Sequence, residues 1–108
     1  MKKAVANKEE LLSRLYKNGE RIHGYGIKTL NLFGSFKRNT DIHQKSDVDF
    51  LIEFQDGQET FRNIADLGYF LEDLLGRKVE LITKESLSPF FAPHILNDAE
   101  YVGLIQTE

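Results

Sequence analysis

Apolar residues recur along this chain in two rhythms, and each change of rhythm marks an element. Leu11, Leu12, Leu15 and Tyr16 form one helical stripe. Asn7, with Glu10 three residues later, has the spacing of a helix N-terminus, and the stripe ends near Gly19. Gly24 and Gly26 interrupt the chain; Lys28 to Phe33 then alternates as a strand until Gly34-Ser35 stops it. The polar run from Lys37 to Lys45 predicts a short helical turn followed by a loop. Val48 to Phe54 is β-rich in composition and closes at Asp56-Gly57, which predicts a second strand. Phe61, Ile64, Leu67, Leu71, Leu74 and Leu75 return to helical spacing and stop at Gly76, where a C′ glycine would sit. Val79 to Ile82, apolar apart from Glu80, predicts a third strand. Ser88-Pro89 reads as an N-cap followed by a first-turn proline, with Pro93 limiting the helix, and Phe90, Phe91 and Tyr101 are expected to cover the sheet or a partner surface. The expected fold class is α+β, one domain over residues 1–108 with a small mixed sheet flanked by helices.

Composition narrows the chemistry. With 108 residues the chain can bury a real core, and with no cysteine it has no disulfides, thiolate metal sites or cysteine nucleophiles. Lys2 and Lys3 are followed by Asn7, Lys8, Glu9 and Glu10 before any apolar segment forms, so no signal peptide is expected. No run approaches the roughly 20 apolar residues of a membrane span. The expected location is cytoplasmic. A net charge of −3 argues against extended nucleic-acid binding, which neutralises many phosphates with Lys and Arg. Phosphate recognition, if present, is local.

Candidate chemistry lies in the acids placed among apolar residues. Asp is depleted in strands, yet Asp47 and Asp49 bracket Val48 at the head of a strand, and alternation turns both carboxylates to one face. Side chains two apart on a strand are about 7 Å from each other, so the pair repels by about 2 to 3 kcal/mol at an effective dielectric near 20. A cation or water relieves that repulsion. Glu80 repeats the anomaly in the next strand, and if the strands are neighbours the three acids converge. An oxygen-only donor set of this kind suits Mg²⁺. Gly34-Ser35, where the first strand ends, supplies a turn through which backbone can approach a phosphate and to which the Ser35 hydroxyl can add a hydrogen bond. Lys37 and Arg38 lie within reach of the same turn and could balance phosphate charge. His23, His43 and His94 have no metal-ligand spacing and are read as surface or structural. Taken singly these pieces are common; their order along the chain is not.

At these residues the sequence resembles the minimal nucleotidyltransferases of the DNA polymerase β superfamily. The resemblance rests on Leu32-Phe33-Gly34-Ser35-Phe36-Lys37-Arg38-Asn39, then Ser46-Asp47-Val48-Asp49-Phe50-Leu51-Ile52-Glu53-Phe54, then Gly76-Arg77-Lys78-Val79-Glu80-Leu81-Ile82-Thr83. It extends from about Leu11 to Val102. It implies the nucleotidyltransferase fold, metal binding and catalysis by Asp47, Asp49 and Glu80, and nucleotide binding by the Gly34-Ser35 turn with Lys37 and Arg38. Lys37 and Asn39 stand where many members carry a small residue and a glycine, and Glu80 where the third acid is often Asp.

The implied reaction is in-line attack of an acceptor hydroxyl on the α-phosphorus of ATP or another NTP, assisted by Mg²⁺, expected as two ions. Small members of the family resemble the antitoxin halves of toxin modules. That likeness implies a hetero-oligomer with a HEPN-type ribonuclease toxin and transfer of AMP to a toxin tyrosine. Two other readings accompany it: a non-catalytic antitoxin that neutralises its partner by occlusion, and nucleotidyl transfer to a small molecule.

Overall fold

The computed structural model describes residues 2–90 and 92–104. Its centre is a four-stranded mixed sheet in the order β3-β2-β1-β4, formed by β1 (Ile27–Phe33), β2 (Val48–Phe54), β3 (Val79–Thr83) and β4 (Glu100–Val102). β1 pairs antiparallel with both β2 and β4, whereas β2 and β3 run parallel. A parallel pair requires a crossover, and α4 (Phe61–Leu75) supplies it.

That helix forms where the periodicity placed it. Thr60 caps its start by accepting a hydrogen bond from the Asn63 N–H at 3.1 Å, and Gly76 ends it at φ 67°. Its buried stripe is Leu67, Leu71, Leu74 and Leu75, packed against Leu30, Leu32, Phe50 and Ile52 of the sheet. Each such burial contributes about 1.5–3 kcal/mol. Helix α1 (Lys8–Lys17) adds Leu11 and Leu15 to the same core, and the Asn7 side chain accepts from the Glu10 N–H, the N-terminus that the spacing predicts.

Several local details differ from expectation. The first helix ends at its C-cap Asn18, next to Gly19 as the stripe predicts, but a second short helix, α2 (Gly19–His23), follows it directly and buries Ile22. Gly19 is required there by close packing, since a Cβ on it would overlap the Leu104 carbonyl. The turn expected between Lys37 and Lys45 begins earlier, as α3 (Gly34–Arg38), and Asn39 in the left-handed conformation at φ 56° ends it. The last helix, α5 (Ala92–Asp98), starts after Ser88-Pro89, so Pro93 lies in its first turn, where a missing N–H costs nothing, and does not terminate it. β4 was not expected; three residues are too few to show a period. Of the two roles expected for the tail aromatics, covering the sheet is not the one observed, since Tyr101, on β4, and Phe90 are exposed, as a partner surface requires; Phe91 lies outside the described residues. No helix among the described residues is long and apolar enough to cross a membrane.

Candidate active site

One end of the sheet gathers the acids. β1 ends at Phe33, which pairs with Asp49, and Asp49 in turn pairs with Glu80 across the parallel ladder. Pairing partners share a face, so the turn after β1 and the carboxyl groups of β2 and β3 open together. Two acids are therefore positioned by backbone ladders. Asp47 is not: it lies one residue before β2 begins, in the loop, and strand alternation alone does not fix it. It is nonetheless close enough for its charge to act on Asp49.

Asp49 registers the crowding. Its carboxyl is raised from 3.8 to about 6, first by burial, then by a side-chain hydrogen bond with Glu80 and the negative charges of Glu80 and Asp47, with Arg38 acting in the opposite sense. Burial and crowding by like charges both disfavour the ionised carboxylate, and the Arg38 charge offsets them only in part. Arg38 is thus near enough for its charge to act on Asp49. Lys37 points elsewhere, its Nζ 3.5 Å from Asp98 of α5.

Gly34 lies against the Asp49 carboxyl. It adopts φ +77°, and a Cβ built on it would lie 2.5 Å from Asp49 Oδ2. Only glycine serves this position, on both conformational and spatial grounds. Ser35 follows in the first turn of α3, whose N-cap residue Phe33 offers no side-chain capping bond. Phe36, fully buried, anchors the turn to the core.

Among the described residues, no group of three or more His, Cys, Asp or Glu side chains is arranged to hold a metal ion by itself. The expected convergence of three acids is instead a touching pair, Asp49 and Glu80, with Asp47 alongside. That donor set fits Mg²⁺, which takes one or two carboxylates and completes its shell with water and substrate phosphate oxygens. A polar cleft of about 580 Å³ between His23, Lys28, Glu53 and Gln58 lies at the opposite end of β1 and β2 and contains none of these acids.

Comparison with known proteins bears on family and fold. A family model described as nucleotidyltransferase domain matches residues 8–102. The protein adenylyltransferase MntA of Thermococcus cleftensis is 33% identical over 98 residues, 91% of this chain and 87% of that protein. A provisionally named protein adenylyltransferase of Methanocaldococcus jannaschii is 37% identical over 75 residues, covering 69% of this chain and 78% of its own. A solved structure provisionally described as a minimal nucleotidyltransferase superposes with a TM-score of 0.76 at 29% identity, over 86% of this chain and 93% of that one. A toxin–antitoxin crystal structure with AMP-PNP shares the fold, with a TM-score of 0.63 at 21% identity over 82% of this chain and 75% of that one.

Proposed function

This chain belongs to the nucleotidyltransferase domain family, and we propose that it is a Mg²⁺-dependent protein adenylyltransferase, an antitoxin that transfers AMP from ATP to a tyrosine of a partner HEPN-type ribonuclease toxin. One observation carries the reading: a glycine turn at φ +77° abuts the carboxyl of Asp49, which itself touches Glu80. A phosphate drawn onto that turn meets the acids directly.

In this reading Asp47, Asp49 and Glu80 hold Mg²⁺, as two ions when the nucleotide is bound. When bound, Mg²⁺ offsets the charge of the triphosphate and lowers the pKa of the attacking hydroxyl. Gly34 admits the phosphates to the backbone, Ser35 donates a hydrogen bond to them, and Arg38 faces their negative charge, while Lys37, paired with Asp98, takes no part. The phenolic oxygen of the acceptor attacks the α-phosphorus in line. An O–P bond forms as the bond to the bridging oxygen breaks, pyrophosphate leaves with that electron pair, and the phenolic proton passes to the carboxylate cluster. Positioning and electrostatics do the chemistry, and no covalent enzyme intermediate is needed.

Incubation of a candidate toxin with this protein, ATP and Mg²⁺ should add whole AMP units to the toxin's intact mass. Asp47→Asn and Asp49→Asn should reduce that addition to background while leaving the circular dichroism spectrum unchanged. Turnover retained in purified Asp49→Asn would overturn the assignment.

A further inference from the structure

Two of the three acids are set by strand ladders, and the third is not. Asp47 depends on the loop that delivers it, and one side chain governs that loop. Arg77, half-buried between α4 and β3, donates from Nη1 to the carbonyl oxygens of Ser46 and His43, both at 2.9 Å. Ser46 is the residue immediately before Asp47. From Nε the same guanidinium donates to the Val5 carbonyl at 2.7 Å, and its carbon lies 5.1 Å from the centre of the Phe36 ring. Arg77 therefore joins the N-terminal segment, the loop carrying Asp47 and the helix of the glycine turn.

The partners of this cation are informative. Among the described residues Arg77 makes no ion pair with a carboxylate; it places its donors on backbone carbonyls. An arginine used for charge neutralisation sits on an acid, whereas one that bonds several carbonyls in a fixed fork defines where those peptides lie. The loop is also braced from within: Ser46 Oγ accepts from the His43 N–H at 2.9 Å, and the His43 carbonyl that Arg77 holds also accepts from the Ser46 N–H at 3.1 Å. On its other side, Val48 is fixed to Lys78 by a hydrogen bond at 3.0 Å. Asp47 is thus suspended between a ladder bond at residue 48 and the Arg77 bond at residue 46.

We infer that Arg77 is a positioning residue for the metal site: it sets the carboxylate of Asp47 relative to Asp49 and Glu80, and locks that loop to the phosphate-binding helix through Phe36. The inference rests on the proposed nucleotidyltransferase reading and assigns no contact between Arg77 and the nucleotide. Lysine cannot reproduce the role, because an ammonium lacks the planar fork that reaches Val5, His43 and Ser46 at once and stacks poorly on a ring.

The test is calorimetric titration of Mn²⁺ into the full chain with a non-hydrolysable ATP analogue present, well below the melting temperature. Residues that orient metal ligands change affinity by roughly 10- to 100-fold, and Arg77→Lys should weaken Mn²⁺ binding by about tenfold, the lower end of that range. High Mg²⁺ should then restore AMP transfer in Arg77→Lys but not in Asp47→Asn. Ile22→Val, a core change outside the site, serves as the destabilised control and should leave Mn²⁺ affinity as it is. If Arg77→Lys does not fold, Phe36→Leu removes the aromatic face under the guanidinium together with some core packing, which the Ile22→Val control calibrates, and should weaken binding by about two- to threefold, in keeping with the modest worth of one cation–π contact. Unchanged Mn²⁺ affinity in the folded variant, with only the melting temperature lowered, overturns the inference and leaves the proposed function standing. A wild-type protein that takes up no Mn²⁺ overturns both.

Discussion

At the scale of single residues, the site is a contest for space and charge between Gly34 and Asp49. Gly34→Ala would meet Asp49 Oδ2 and also hold a β-carbon at φ +77°, a conformation that costs an L-residue about 1–2 kcal/mol. We expect a lower melting temperature and loss of Mg²⁺-dependent nucleotide binding; wild-type binding in this variant would count against the role of the turn. The raised carboxyl of Asp49 makes a second prediction for the metal-free protein. A folded-state pKa of about 6 against 3.8 means that the bound proton stabilises the fold fully below pH 3.8, and that this contribution is lost as pH rises through about 6. Asp49→Asn carries no such proton. The variant should therefore gain on wild type between about pH 4 and pH 7 in EDTA, by about 1 kcal/mol once screening of a partly exposed group is allowed for. Urea midpoints at the two pH values would show it, and parallel curves would refute it. Gly34, Asp49 and Glu80 were legible in the sequence because each violates its local context: a stop after a strand, acids within apolar runs. Arg77 was not, because a basic residue beside a glycine is ordinary until folding brings Val5, Ser46 and Phe36 to it.

At the scale of elements, long periodic segments declared themselves and short ones did not. α4 was readable because its leucines repeat over four turns and its ends carry Thr60 and Gly76. β4 has three residues and α3 five, too few for either period to emerge, so the first was missed and the second displaced toward Lys37. Pro89 and Pro93 compete for the same first-turn role, and the helix begins where Ala92 bonds back to the Ser88 carbonyl at 2.8 Å. α3 nevertheless carries a specific expectation. Its first turn presents Ser35 beside Gly34, and a hydrogen bond to a charged phosphate is worth roughly 1.5–3 kcal/mol. Ser35→Ala should weaken ATP binding by about tenfold or more in the presence of Mg²⁺, with the melting temperature little changed. Calorimetry that gives the same affinity for wild type and variant, or the same affinity with EDTA added, would contradict the assignment of this turn to phosphate.

At the scale of the molecule, the sequence implied one mixed sheet but not its order. The parallel pairing of β2 with β3, which brings Glu80 to Asp49, depends on α4 crossing the sheet, and no single strand encodes that. The resulting site lies at an end of the sheet with Asp47 and Glu80 exposed, so an acceptor hydroxyl has to be delivered from outside. This geometry separates catalysis from simple masking of a partner. If the protein turns over, substoichiometric amounts with ATP and Mg²⁺ should silence an excess of the proposed toxin partner, because each molecule modifies many acceptors in succession. If it acts by covering the toxin, silencing should level off at one to one and should survive in the double variant Asp47→Asn, Asp49→Asn. Ribonuclease activity measured across a range of ratios, with intact-mass spectra of the toxin at each point, reads both quantities together. In the catalytic case residual activity should fall in step with the modified fraction and reach zero well below an equimolar amount of this protein. An unmodified toxin fully inhibited by the double variant would show that the acids are dispensable for neutralisation and that the transferase reading is wrong.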